Sequence, residues 1–217
     1  MTEAVWASIR EGVWQTLEMT LVSTLLAYLI GLPYGIFLKT TGKGEVLQNK
    51  VVHAVLAFIA NILRSIPFMI LLVFLIPFTR LIAGKSIGTE ASIIPLTVGT
   101  IPIVARMVES SLNEVSPGII EAAKSMGASP LQIIKNFMLP ECMPSLLSGA
   151  AINMATVLGY SAMAGCIGGG GLGAIALNYG YYRYQTEVLM VTVVILILIV
   201  QVFQEGGNFI SRKIRHT

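Results

Sequence analysis

From Cys142 to Tyr182 the chain runs for 41 residues without a single charged side chain. A soluble domain carries roughly 25% charged residues. This chain has 12%, against 55% hydrophobic, so most of its surface is built to face something other than water. A hydrocarbon core of about 30 Å is crossed by about 20 helical residues, so the uncharged stretch is too long for one crossing. Gly165 and the run Gly168-Gly-Gly-Gly171-Leu-Gly173 break it. The expectation is one spanning helix over about 145–166, with the glycine run turning at the far side.

The other apolar runs follow the same logic. Met19 to Leu38 is uncharged and long enough to span, and contains Gly31-Leu-Pro-Tyr-Gly35. Proline kinks a spanning helix tolerably, and the Gly31/Gly35 spacing admits a close neighbour. Val51 to Phe78 is a second run, interrupted at Arg64-Ser65-Ile66-Pro67. Arg64 is either a functional charge held between helices or a side chain that snorkels to the interface. Ala91 to Ala105, with Pro95, Gly99 and Pro102, is a third, and Val188 to Phe203 the last. The patterns predict an all-α polytopic membrane protein: a single domain over 1–217, core about 13–204, with five spans at about 19–39, 56–79, 90–108, 145–166 and 187–205. Residues 1–18, with Trp6 and Trp14, suit an interfacial lead-in, and no removable signal peptide is expected because a basic start is missing.

Basic residues set the orientation. On this topology Lys39, Lys43, Lys50, Arg106, Lys124, Lys135, Arg212, Lys213 and Arg215 fall on one side and Arg10, Arg80, Lys85 and Arg183 on the other. Positive charge gathers on the cytoplasmic side, so the N-terminus is expected outside and the C-terminus in the cytoplasm.

Several classes have no support. The basic residues are scattered at segment ends and not clustered with aromatics, which argues against nucleic acid. Cys142 and Cys166, on one helix, would stand about 36 Å apart, too far for a disulfide. His53 and His216 are isolated, so no metal set forms. The acids are eleven Glu and no Asp, and no nucleophile, base and acid converge as an enzyme needs. The glycine run lacks the Gly-Lys-Ser/Thr ending of a phosphate cradle, and no other nucleotide-binding motif occurs.

One charged island lies between the spans, at 116–140. Ser116-Pro117 is a helix start; Ile119, Ile120, Ala123 and Met126 recur at helical spacing; Gly127 is a helix stop. Ser129-Pro130-Leu131-Gln132 opens a second short helix with a capping box, ending at Leu139-Pro140. An apolar stripe beside water needs a cover: a partner, the chain's own spans, or the lipid surface.

Glu121-Ala122-Ala123, Gly127 and Leu139-Pro140 resemble the EAA loop of ABC importer permeases, with Phe137 where that family has Ile. Arg64-Ser-Ile-Pro67, Pro95-Leu-Thr-Val-Gly99, Ala105-Arg-Met-Val-Glu109, Gly159-Tyr-Ser-Ala-Met163 and Gly169-Gly-Gly-Leu-Gly173 extend the resemblance, over nearly the whole chain, to the methionine-uptake permeases. The resemblance implies a coupling helix over about 117–126, with Ile119, Ile120, Glu121, Ala122, Ala123, Lys124, Met126 and Gly127 meeting a separate ATPase. It implies a permease subunit rather than an enzyme, with ATP and Mg on the partner ATPase and no cofactor in this chain. The implied partners are a second copy of the chain, two ATP-binding subunits and an external substrate-binding protein, in the bacterial cytoplasmic (inner) membrane. The implied solute is a small amino acid, with methionine foremost. Another amino acid or an osmolyte, or an ion-coupled secondary transporter, are the alternatives.

The fourth span has two faces. Asn153, Thr156, Tyr160 and Met163 share one sector, which either lines a solute pathway, with Tyr160 and Met163 as its constriction, or hydrogen-bonds between helices. Ala151, Ala155, Gly159 and Ala162 share the opposite one.

Overall fold

A computed structural model describes residues 2–215, without the Arg215 side chain. His216, expected to be isolated, lies outside the described residues. Among them every regular element is helical.

The first helix, α1 (Glu3–Thr40), is continuous through Pro33. Its 38 residues rise about 1.5 Å each, giving about 57 Å, so the interfacial lead-in and the first span are one rod. Gly31 and Gly35 let α5 (Thr89–Asn113) lie directly against it. A methyl group on Gly35 would stand 2.5 Å from the Ala105 carbonyl oxygen, and one on Gly31 2.8 Å from Val104. The close approach expected from that spacing is therefore made, and α5 is the neighbour.

The second apolar run is not one helix. It divides into α2 (Lys50–Ser65), α3 (Phe68–Phe74) and α4 (Ile76–Ala83). The axis turns by 100° between α2 and α3. Pro67 carries no N–H and holds Ile66 in an extended conformation, with Ile66 at φ −82°, ψ 121°. Among the described residues four helices are long and apolar enough to cross a membrane, or five if α2 and α3 together make one crossing.

After α5 come α6 (Pro117–Ser125), α7 (Pro130–Gln132), a π-helical stretch (Ile133–Met138), α8 (Leu139–Glu141) and the long α9 (Met143–Ala164). The glycine run is more than a turn. Gly168, Gly170 and Gly171 take positive φ, and the chain then re-enters as α10 (Gly171–Ile175) and a second π-helical stretch (Ala176–Tyr181) before α11 (Thr186–Arg215). The turn is fastened to α1: Gly171 N–H donates to Gln15 Oε1 at 2.7 Å and Leu172 N–H to Thr16 Oγ1 at 2.8 Å.

Three buried clusters hold these elements. One packs Ile9 of α1 against Leu172, Ile175 and Val188. A middle one joins Met19, Phe68, Leu72, Leu96, Val157 and Ala164. The third joins α1 and α5, through Ala27, Val104 and Leu112, to Ala123, Ile133 and Met138. The short helices between α5 and α9 are thus rooted in the membrane-spanning bundle.

Candidate functional site: the short helix at 117–125 and its link to the bundle

The helix α6 begins at Pro117, which needs no N–H partner in the first turn. Ser116 stands at the cap position, but its side chain makes no capping bond; its carbonyl instead accepts from Ile119 N–H at 3.1 Å. At the other end Gly127 takes φ 78°. Gly127 N–H donates to the Lys124 carbonyl at 3.0 Å and Ala128 N–H to the Ala123 carbonyl at 3.1 Å. This is the paired Schellman arrangement, which closes the last carbonyls and reverses the chain. Two residues on, Ser129 N–H donates to Gln132 Oε1 at 2.8 Å, one half of the capping box that opens α7.

The apolar stripe of α6 is divided. Ala123 is fully buried, and Ile119 and Ile120 pack on the same cluster as Ile133 and Met138. The chain's own helices cover that part. Glu121, Ala122, Lys124 and Gly127 are exposed, and Met126 is 69% exposed. Leu131, at the start of the next helix, is 72% exposed and belongs to the same surface. Only the capping box, which fixes where that helix starts, marked its position in the sequence. Short polar links join the spans to one another around the segment: Ser145 Oγ of α9 donates to Glu114 Oε1 at the end of α5 at 2.8 Å, and Ser211 Oγ of α11 to the Pro144 carbonyl of α9 at 2.7 Å.

The α9 residues singled out in the sequence do not converge on one cavity. Asn153 is buried and its Nδ2 donates to the Tyr28 hydroxyl at 3.0 Å, a link to α1. Thr156 Oγ1 donates to the Ile152 carbonyl of its own helix. Tyr160 stacks on Phe68, with ring centroids 4.1 Å apart and planes within 4°. Met163 is 44% exposed. On the opposite sector Ala151 is buried, whereas Gly159 has open space beside it.

No group of three or more His, Cys, Asp or Glu side chains among the described residues is placed to hold a metal ion. His53 Nδ1 lies 2.9 Å from the Leu38 carbonyl, joining α2 to the end of α1. The chemistry available at 117–131 is therefore that of a surface: exposed apolar and charged side chains on a helix anchored from beneath.

Residues 31–215 match the family model described as binding-protein-dependent transport system inner membrane component. The chain belongs to that family. Among its relatives, a probable D-methionine transport system permease protein MetI of Vibrio cholerae serotype O1 is 48% identical over 94% of this chain and 90% of its own length. The protein of the same name from Pasteurella multocida is 44% identical over all of both chains. A chain of the inward-facing MetNI methionine ABC transporter superposes with a TM-score of 0.97, at 46% identity and over 99% of each chain. This binding-protein-dependent transport component is thus an ABC importer permease with an all-helical membrane fold.

Proposed function

We propose that this permease carries methionine inward across the bacterial cytoplasmic membrane, as one of two copies of itself assembled with two ATP-binding subunits. An external substrate-binding protein delivers the solute. ATP and Mg are bound and used on the partner ATPase, and this chain makes and breaks no bond. The observation that carries the reading is the superposition on the MetNI methionine transporter over 99% of both chains. The excess of basic residues on the side that holds Lys124 and Lys135 supports a cytoplasmic α6, a cytoplasmic C-terminus and an N-terminus outside.

In this reading Glu121, Ala122, Lys124 and Met126 are the docking face of α6, with Leu131 beside them. Ile119, Ile120 and Ala123 anchor the helix to the bundle, and Gly127 holds the turn. Movement of the ATPase then passes through Ala123 into the cluster that contains Val104, Val108 and Ala27.

The test is uptake of labelled methionine in a strain lacking this chain and complemented with it or with Ala122→Arg or Met126→Asp. Both substitutions fall on exposed positions, where surface changes cost little stability. Correct membrane insertion with uptake lowered at least tenfold is the expected outcome. Wild-type uptake by both variants removes the docking role. Competition by other unlabelled amino acids decides the solute.

A further inference from the structure

Arg64 and Arg106 face the same groove between α2 and α5, and only Arg106 finds partners there, through its two Nη atoms and not its buried Nε. Ala57, Asn61 and Arg64 recur at the i, i+4, i+7 spacing that puts them on one face of α2. Arg106 of α5 meets that face: its Nη2 donates to Asn61 Oδ1 at 2.7 Å and to the Ala57 carbonyl at 3.4 Å, while Nη1 pairs with Glu109 Oε2 at 2.7 Å. Arg64 lies one turn further along the same face. There α5 presents Ile103 and Gly99, neither of which can accept a hydrogen bond from its side chain. Among the described residues Arg64 has no ion pair and no hydrogen-bonded partner.

Arg64 lines a cavity of about 240 Å³ together with Phe68, Leu71, Gly99, Ile103 and Tyr160. This is smaller than the roughly 300–1,000 Å³ of sites for drug-sized ligands. The cavity is near the middle of the bundle: Ile103 stands about 21 Å along α5 from Thr89 and about 15 Å from Asn113. Arg64 is exposed on this protomer and borders the cavity, and a charge at such depth that finds no partner in its own chain calls for an anion. The walls are rigid. Phe68 and Tyr160 stack, and a methyl group on Gly99 would already stand 3.2 Å from Phe68 and Leu71. The Tyr160 hydroxyl also has no partner among the described residues.

We infer that this cavity binds the transported amino acid, with the Arg64 guanidinium receiving its carboxylate and the Phe68–Tyr160 pair receiving its apolar side chain. The planar fork of a guanidinium matches a carboxylate in two parallel hydrogen bonds, which an ammonium cannot reproduce. A thioether makes favourable contact with an aromatic ring. Arg64 is thereby a specificity-determining residue for the carboxylate. The inference rests on the proposed methionine transport and adds where the solute pauses.

The test is equilibrium binding of labelled methionine to the purified permease–ATPase complex, run beside uptake in the complemented strain. Methioninol, which has an alcohol in place of the carboxylate, serves as competitor. Methionine is expected to displace the label at least tenfold better than methioninol. Arg64→Gln is expected to bind at least tenfold more weakly and Arg64→Lys to fall between. Tyr160→Phe, which keeps the stacked ring, is expected to weaken binding by less than Arg64→Gln does. Wild-type affinity in an assembled Arg64→Gln complex overturns the site, as does equal displacement by methioninol. If wild-type cells take up methionine and the complex binds none, the site alone fails. If wild-type cells take up no methionine, the transport reading fails and the site with it.

Discussion

Cys142 lies under the short helices, buried, with its Sγ 3.6 Å from the Leu139 carbonyl. Burial pushes its thiol up to about 11, and the nearby carboxylates of Glu114 and Glu141 act in the same direction. At neutral pH it is therefore a protonated thiol, and the thiolate is the reactive form. Cys166 is exposed after the end of α9. Alkylation of the folded protein at neutral pH should modify Cys166 and leave Cys142 intact until denaturant is added; equal labelling of both would contradict the burial. At Gly35 the expectation is structural. Valine there would meet the backbone of α5, and overpacking costs about 1–3 kcal/mol even where side chains can yield. A carbonyl oxygen yields less, so Gly35→Val should lower the midpoint of thermal unfolding in detergent by several degrees and reduce the amount of folded protein. Gly35 and Gly127 were legible in the sequence because each obeys a rule that spans four residues or fewer. Asn153 was not. Its partner, Tyr28, is 125 positions away, and no local pattern distinguishes an asparagine that joins two helices from one that faces a pathway.

Among the elements, the division of the second apolar run most altered the expectation from sequence. Arg64 and Pro67 were visible as an interruption, but an interruption is compatible with a kinked span or with two helices. The choice depends on α5, which offers Arg106 to α2 and Gly99 to α3. The α6 helix is similar: its start and stop could be read from Pro117 and Gly127, whereas the direction of its apolar stripe depends on Ile133 and Met138 beneath it. The pairing of Arg106 with Asn61 can be tested. Interhelical hydrogen bonds within membranes average about 0.6 kcal/mol and reach about 1.7, and Arg106 keeps Glu109 when Asn61 is truncated. Asn61→Ala should thus destabilise by about 1 kcal/mol, measured by detergent thermal melts, and Arg106→Ala by more. A neutral Asn61→Ala would mean that Glu109 alone suffices.

The whole molecule is closed by contacts between distant ends of the chain. Gln15 and Thr16 hold the backbone of the glycine turn 156 residues away, and the Ile9 cluster seals that end of the bundle. Composition and run length made the all-helical membrane class evident, and the motifs from Glu121 to Pro140 made the family evident. The re-entrant α10 was hidden because a glycine run is equally the start of a loop. Thr16→Val leaves the buried Leu172 N–H without an acceptor. An unsatisfied buried donor costs about 1–3 kcal/mol. The variant should therefore melt at lower temperature, and Thr16→Ser should restore most of the loss; equal melting of Thr16→Val and wild type would show the bond to be dispensable. The break after Ser65 has a different consequence at this scale. A helix leaves its last four carbonyls without intrahelical partners, and irregular backbone at membrane depth persists only inside protein or beside a water-filled space. The carbonyls that end α2 at Ser65 must therefore be met by protein or by water, so the exposed Pro67 break cannot stand bare against lipid chains. Whatever covers this break, a second copy of the chain or an aqueous path, sets which side of the permease the lipid does not touch.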